Sequence, residues 1–359
     1  MQKLKITEKY AKEFDKKCAM AKSHDFLRFL SEPDYNNISL LDLIARVENT
    51  INIKPHKSDR NFKLNKTVIS SYMNEFFSLY MPEKANEIKL ILNRTHPFFL
   101  DKRGKPHINF ICTKKGDKRS SSVGHHGRND FLEFNVFIHN SIDDLRTTAH
   151  ELSHAISSHH QYEIQNIRAN KPLKNKNFSK DCMGEIESLL TEKLFNKYLV
   201  SKGIYTNEDL ENYENQQQDG LLHDINLIRE ERDIIKELSC PVTFESLDKL
   251  AIKLQKQNKN RLIDRIMKMH DDKTKYSSYQ FRYVVGRIVA DQWIKEFDKK
   301  YETQSVMLEK FQAYLDKTHE LNLDKACEEL LNKNFECVVE DYILDKVNEN
   351  KNLEEKFKK

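Results

Sequence analysis

The sequence predicts a mainly α-helical protein that carries a small β-sheet. Its 359 residues include only 8 glycines and 7 prolines, whereas an all-β fold needs turn residues roughly every 8 to 12 positions. Lysine, glutamate and leucine, which favour helices, are abundant. After Pro241 the chain has no further proline and a single glycine, Gly286. These observations favour long helices over most of the chain.

The pattern of apolar residues in the first part of the chain predicts a group of helices. Apolar residues recur there at spacings of three and four, which is typical of one face of a helix. The predicted helices span residues 6–30, 39–50, 67–80 and 83–94. We therefore expect an N-terminal helical region over residues 1–96, packed on the rest of the protein.

The pattern changes between Pro97 and Asn140, where two short runs favour β-strands. The runs cover residues 107–113 and 131–139 and flank a loop rich in Gly, Ser and Lys. Imperfect alternation suggests that 131–138 is an exposed edge strand, although an ordinary covered strand has the same pattern. The loop at 120–128, with its Gly-His-His-Gly sequence, is either a lid over a cleft or a plain solvated loop.

Helical patterns resume after Asn140. The predicted helices cover residues 141–160 and 182–202 and most of the chain beyond Pro241. No internal repeat or Gly/Ser linker interrupts them. The main domain is therefore predicted to span 97–347, with 348–359 as a flexible charged tail.

Composition favours a monomeric cytoplasmic protein. The 60 basic and 56 acidic residues are interspersed and leave a net charge of +4, which is a weak basis for binding nucleic acid or a membrane surface. The six cysteines form no C-x-x-C pair, so reduced thiols are expected. Residues 1–18 lack the apolar segment of an export signal. The Lys- and Asn-rich composition and charged tail leave open delivery by a specialised system into a host cytosol.

One pentad, His150-Glu151-Leu152-Ser153-His154, has the spacing of a zinc site. On a helix, residues four apart lie on one face, so both imidazoles can reach one ion while Glu151 stands beside a metal-bound water. Ser141 and two following aspartates suit the start of such a helix.

A catalytic zinc site needs a third protein ligand. Glu185 and Glu192 on the next predicted helix are seven residues apart and share a face. Either is a candidate, whereas Glu187 is expected to point elsewhere.

Four segments resemble the thimet oligopeptidase and oligoendopeptidase F family of zinc metallopeptidases, which are of the gluzincin type. The stretches are similar to the family's active-site helix, its second glutamate motif, the segment before its cleft strand and its tyrosine-rich motif. In this chain they read DLRTTAHELSHAI at 144–156, GEIESLLTE at 184–192, DKRGKPHINF at 101–110 and YQFRYVVG at 279–286. The family usually has glycine where this chain has Ser153, and its members are usually much longer.

The resemblance implies the roles of individual residues. His150, His154 and Glu185 would bind one Zn²⁺ ion, with Glu151 as the general base and Glu192 behind the ligands. Oxyanion stabilisation would come from among His270, Tyr279 and Tyr283, although aromatic residues at helical spacing are also typical of a core. Six of the eight glycines are expected to mark places where the backbone approaches substrate closely or bends; they are Gly104, Gly116, Gly124, Gly127, Gly184 and Gly286.

The expected function is that of a zinc metalloendopeptidase acting on a peptide or protein substrate. An effector protease that cleaves a host protein is one form of it. The alternative is a non-catalytic helical interaction protein with a structural or vestigial zinc site. Glu151 argues against the alternative, because a structural zinc site needs no general base and is usually closed by four Cys or His ligands.

Overall fold

The structure is a computed structural model and confirms a mainly helical chain with one small mixed sheet. It describes most of the chain from residue 45 onward. The described residues are 45–52, 55–57, 61–114, 116–117, 119–124, 130–171, 178–237, 253, 279–299 and 304–357. The predicted helix at 6–30 lies outside them, and of the one at 39–50 only residues 45–48 are seen as helix.

The predicted helices within the described residues are found in order with some differences in their ends, and one further helix, at 207–237, was not predicted. They are α1 (Lys66–Tyr80), α2 (Ala85–Leu92), α3 (Asp143–Ile156), α4 (Ser158–Arg168), α5 (Phe178–Ser201), α6 (Asn207–Glu237), α7 (Tyr279–Lys299), α8 (Gln304–Lys317), α9 (Leu323–Leu331) and α10 (Phe335–Phe357). The single helix predicted at 141–160 is two helices, because the backbone of Ser157 is extended between them. Residues 348–357, predicted as a tail, continue the helix α10.

The sheet has three strands, β1 (Ile108–Cys112), β2 (Ser122–Gly124) and β3 (Glu133–Ile138). β3 lies in the middle, parallel to β1 and antiparallel to β2. The prediction that 131–138 forms an edge strand is therefore wrong. Side-chain alternation reports which face of a strand is buried, here that of Phe134, Val136 and Ile138, and does not report whether both edges are paired. β2, at 122–124, lies within the segment predicted to be a loop.

The start of α3 is fixed by side chains that the sequence indicated. Ser141 Oγ accepts from the backbone N–H of Asp143 at 3.1 Å. The buried Asp144 carboxylate accepts from the backbone N–H groups of Ser141 at 3.1 Å and His139 at 2.7 Å. These acceptors pair the backbone N–H groups in the short connection between β3 and α3, and so stabilise the start of the helix.

Helix α5 is the most deeply buried element of the part described. Most of its residues from Cys182 to Leu199 are buried, so it has no polar solvent face of the ordinary amphipathic kind. On one side Phe76 of α1 meets Phe195 edge-on, with ring centroids 5.0 Å apart. On another side α5 packs against α3, and this contact holds the candidate site.

The chain divides into two compact units. One comprises residues 1–49 and 221–284 and the other residues 50–220 and 285–359. In the first, Arg229 Nη1 lies 2.8 Å from Glu48 Oε1, and Val47, Ile225 and Ile228 are buried. The second contains the sheet, α3 and α5. The domain boundaries predicted after residues 96 and 347 stay a prediction.

Among the described residues, no helix is both long enough and apolar enough to span a bilayer.

Candidate metal centre

Helices α3 and α5 bring together the three residues predicted to bind zinc. His150 Nε2 lies 3.2 Å from His154 Nε2 and 3.7 Å from Glu185 Oε2. One ligand atom from each of the three residues lies within 4.8 Å of the others. The i, i+4 spacing puts both imidazoles on one face of α3, and the packing of α5 supplies the carboxylate.

The donor set fits a zinc ion. Two imidazole nitrogens and one carboxylate oxygen are the ligands of a catalytic zinc site with one open position. Tetrahedral bonds of about 2.0–2.1 Å put neighbouring ligand atoms roughly 3.3 Å apart, which is close to the 3.2 and 3.7 Å separations observed here.

The charge of the cluster also suits a cation. Burial alone lowers the pKa of His150, but the carboxylates of Glu192, Glu151 and Glu185 raise it to about 9. Three carboxyl groups thus lie close to the two imidazoles in a buried space. Oxygen and imidazole donors grouped in this way suit a divalent cation.

Glu192 lies behind His150, on the side of the ring away from the ligand cluster. Its Oε1 is 2.6 Å from His150 Nδ1, and its Oε2 accepts from the hydroxyl of Tyr213 at 3.0 Å. Burial raises the pKa of Glu192, but the hydrogen bond and charge of His150 outweigh burial and lower it overall. The carboxylate thus holds the His150 ring by the nitrogen that faces away from the ligand cluster.

Glu187 lies beside His154, contrary to the expectation that its side chain points elsewhere. Its Oε1 lies 3.2 Å from His154 Nδ1, and the side chain is buried. A Cβ built at Gly184 would have Cε1 of His154 as its nearest atom, at 3.5 Å, so this turn of α5 faces the same ring. Local spacing gave no signal for Glu187, because its contact depends on how α5 packs against α3.

Glu151 is held beside the cluster by the sheet. Its Oε2 accepts from the backbone N–H of Val123 in β2 at 2.7 Å. Burial is the main cause that raises the pKa of Glu151, to about 7, and the charge of His150 opposes the rise. A proton acceptor thus lies one residue from His150, on the helix that carries both histidines.

Gly286 allows α7 to pack directly on the backbone of Glu185. A Cβ at position 286 would meet Glu185 O at 2.9 Å and Leu189 Cδ1 at 2.8 Å. Only a residue without a side chain fits this contact. The close approach at Gly286 is to a neighbouring helix, and the approach to substrate expected from the sequence stays a prediction.

Of the three predicted oxyanion donors, only Tyr283 has a side chain within the described part of the structure. His270 lies outside the described residues, and Tyr279 begins α7 with its side chain outside them. Tyr283 is half-buried, and its hydroxyl accepts from Arg282 Nη2 at 3.4 Å. Residues 125–129, the latter part of the predicted lid, lie outside the described chain as well. The roles of these residues stay a prediction.

Comparison with known proteins relates the fold, but not the sequence, to peptidases. No family model matches the chain, and no curated protein matches it. A crystal structure named as oligoendopeptidase F from Bacillus anthracis str. Ames is similar with a TM-score of 0.53 and 14% identity. That similarity covers 89% of this chain and 54% of the other.

A second solved structure, named as a peptidase from Chlamydophila abortus, has a TM-score of 0.49 and 14% identity. The match covers 87% of this chain and 55% of that one. The chain thus spans about half the length of both solved structures. At this identity, the first likeness shows a shared fold.

Proposed function

We propose that the chain is a zinc-dependent metalloendopeptidase of the thimet oligopeptidase and oligoendopeptidase F family. One observation carries the proposal: Glu151 lies beside a cluster of His150, His154 and Glu185 that fits zinc. The fold shared with the Bacillus anthracis structure supports it.

A bound zinc ion supplies a Lewis acid and lowers the pKa of a water molecule in its open position. His150, His154 and Glu185 would hold the ion. Glu151 would take a proton as general base and pass it to the leaving amine. Its burial suits this role, because a carboxylate removed from water is a stronger base.

Strand β2 is the element suited to hold a peptide beside the metal ligands. The N–H of Phe134 donates to His107 on the β1 side, so its antiparallel partner Val123 directs its own N–H away from β3, toward Glu151. A peptide in extended form would add to this outer edge through main-chain hydrogen bonds, with little sequence preference. We assign to β2 the role that the sequence suggested for 131–138.

Oxyanion stabilisation is proposed to come from among Tyr279, Tyr283 and His270, on the basis of the sequence resemblance. A phenol or imidazole aimed at the developing charge typically contributes 10²–10³-fold to kcat. The substrate is a peptide or a protein, including a host protein if the chain is delivered as an effector.

The non-catalytic alternative is disfavoured by the position of Glu151. A structural or vestigial site gains nothing from a buried carboxylate next to the ligands, since burial of such a group is unfavourable. The observed hydrogen bond from Val123 keeps that carboxylate in place.

The test of the proposed function is the substitution Glu151→Gln, which keeps shape and removes the base. We expect kcat on a peptide library to fall at least about 100-fold, with zinc content unchanged. Glu163→Gln is the matched control, since Glu163 is another buried carboxylate 3.5 Å from a histidine, His160. Wild-type protein without stoichiometric zinc, or undiminished cleavage by Glu151→Gln, would overturn the proposal.

Substrate class is tested by the same pair of proteins. Wild type and Glu151→Gln are incubated with short peptides and with folded candidate proteins, and the fragments are identified by mass spectrometry. Cleavage present in wild type only assigns the substrate. Cleavage by both proteins indicates a contaminating protease.

A further inference from the structure

Glu187 is a buried carboxylate that no step of the proposed hydrolysis uses. It is fully buried in α5, next to Glu185 in the chain, and no polar face of α5 explains its presence. Burying a carboxylate is costly unless it has a partner. Its Oε1 lies 3.2 Å from His154 Nδ1.

The two histidines are held in the same way. Each ring has its Nδ1 on a carboxylate of α5, with Glu192 at 2.6 Å from His150 and Glu187 at 3.2 Å from His154. An imidazole that donates from Nδ1 to a carboxylate presents the lone pair of Nε2. The two Nε2 atoms are the ones that approach each other, at 3.2 Å.

The turn of α5 that carries Glu187 faces the ring of His154. A Cβ built at Gly184, three residues earlier, would have Cε1 and Nδ1 of His154 as its nearest atoms, at ordinary contact distances of 3.5 and 3.6 Å. Gly184 therefore leaves space beside the ring, and Glu187 is the residue of this turn that reaches its Nδ1.

We infer that Glu187 is a positioning residue for His154, which fixes the tautomer and orientation of that ring and so sets the affinity of the site for its metal. The inference rests on the proposed zinc site. It adds a carboxylate on the second histidine to the one that the sequence indicated on the first. Helix α5 then supplies the ligand Glu185 and also the two carboxylates that orient His150 and His154.

The competing explanation is that Glu187 only stabilises the packing of α3 on α5. The two roles predict different measurements. A packing role lowers the stability of the metal-free protein and leaves the metal affinity of the folded fraction unchanged. A positioning role changes metal affinity and the ligand field of the bound ion.

The experiment compares Glu187→Gln and Glu187→Leu with wild type, using Glu163→Gln as the matched control. Zinc affinity is measured by competition with a chelating dye, and the Co²⁺-substituted protein gives the visible absorption spectrum of the site. Thermal unfolding of each metal-free protein is measured in parallel. Glu187→Gln keeps the shape of the side chain and one acceptor oxygen. If the leucine variant does not fold, the comparison of Glu187→Gln with wild type still tests the inference.

We expect Glu187→Leu to weaken zinc binding about 10–100-fold, Glu187→Gln to weaken it less, and both to shift the Co²⁺ spectrum. Glu163→Gln should leave affinity and spectrum unchanged. Wild-type affinity and an unchanged spectrum in both Glu187 variants would overturn the inference alone. If wild type itself binds no zinc, the proposed function fails with it.

Discussion

At the scale of single residues, the site depends on a chain of hydrogen bonds that starts outside the ligand helices. Tyr213 of α6 donates to Glu192 Oε2 at 3.0 Å, and Glu192 Oε1 is 2.6 Å from His150 Nδ1. The phenol ring is itself covered by the guanidinium of Arg146, 4.6 Å from its centroid. The orientation of one imidazole is therefore set by residues from three helices.

Substitution of Tyr213 by Phe should destabilise the protein without emptying the space the ring fills. Glu192 loses a donor while it stays buried, and a buried acceptor left with one partner fewer costs about 1–3 kcal/mol. The free energy of unfolding, measured by urea titration of the metal-free protein, is expected to fall by that amount.

Tyr198→Phe is the control for Tyr213→Phe. Tyr198 donates to Glu75, whose side chain is 44% exposed, so water can replace the lost donor. Its effect should be smaller than that of Tyr213→Phe. Equal effects would show that the buried carboxylate does not depend on Tyr213.

Local spacing explains which site residues were predictable. His150, Glu151 and His154 follow from one turn of helix, and Glu185 and Glu192 follow from a seven-residue repeat on the next. Glu187 and Tyr213 do not, because their contacts depend on how α5 crosses α3 and on how α6 docks. A helical wheel describes one helix and holds no information on that crossing.

At the scale of elements, α7 is joined to the site by its backbone. Gly286 packs on the carbonyl of Glu185, where a Cβ would come within 2.9 Å of the oxygen. α5 and α7 are also linked by Lys193, whose Nζ lies 2.7 Å from Asp291 Oδ1. The position of the third candidate ligand thus depends on the fit of α7.

Substitution of Gly286 by Ala should disturb Glu185. The added methyl group must displace helix backbone, and overpacking of this kind costs about 1–3 kcal/mol. We expect a lower melting temperature and weaker zinc binding, both measured on purified protein.

Gly184→Ala is the matched control for Gly286→Ala. Its Cβ would lie in ordinary contact with His154, at 3.5 Å, and alanine favours the helix more than glycine does. Stability should be kept or slightly raised. A Gly286→Ala protein as stable as Gly184→Ala would contradict the close contact of α7 with α5.

Strands were harder to predict than helices. The runs at 107–113 and 131–139 correspond to β1 and β3, but β2 has only three residues and lies in a sequence typical of a loop. Strand order depends on pairing between distant segments, which a local pattern does not encode. The central position of β3 could not be read from residues 131–138 alone.

At the scale of the whole molecule, the scarcity of glycine and proline correctly predicted a helical fold. Composition reports what most residues do, and most of the described ones are helical. It does not report how the chain divides, since each of the two units joins segments that are far apart in sequence. The fold class was therefore predictable from composition, and the division of the chain into two units was not.

Removal of the metal should lower the thermal stability of the protein. A ligand that binds only the folded state at 100 times its Kd contributes about 2.7 kcal/mol, which is roughly 4 °C for a chain of this size. Wild type with zinc is therefore expected to melt higher than wild type with a chelator. The difference should vanish in His154→Ala, and a wild-type melting temperature indifferent to the chelator would contradict a folded-state zinc site.

The hydrogen bond between Val123 and Glu151 has a consequence for how a substrate would enter. A backbone N–H is a single donor, and that of Val123 is already engaged by the carboxylate at 2.7 Å. If β2 binds a peptide as proposed, a peptide carbonyl that pairs with β2 at this position would have to displace Glu151 from this N–H. Docking of the backbone and release of the proposed base would then be one event.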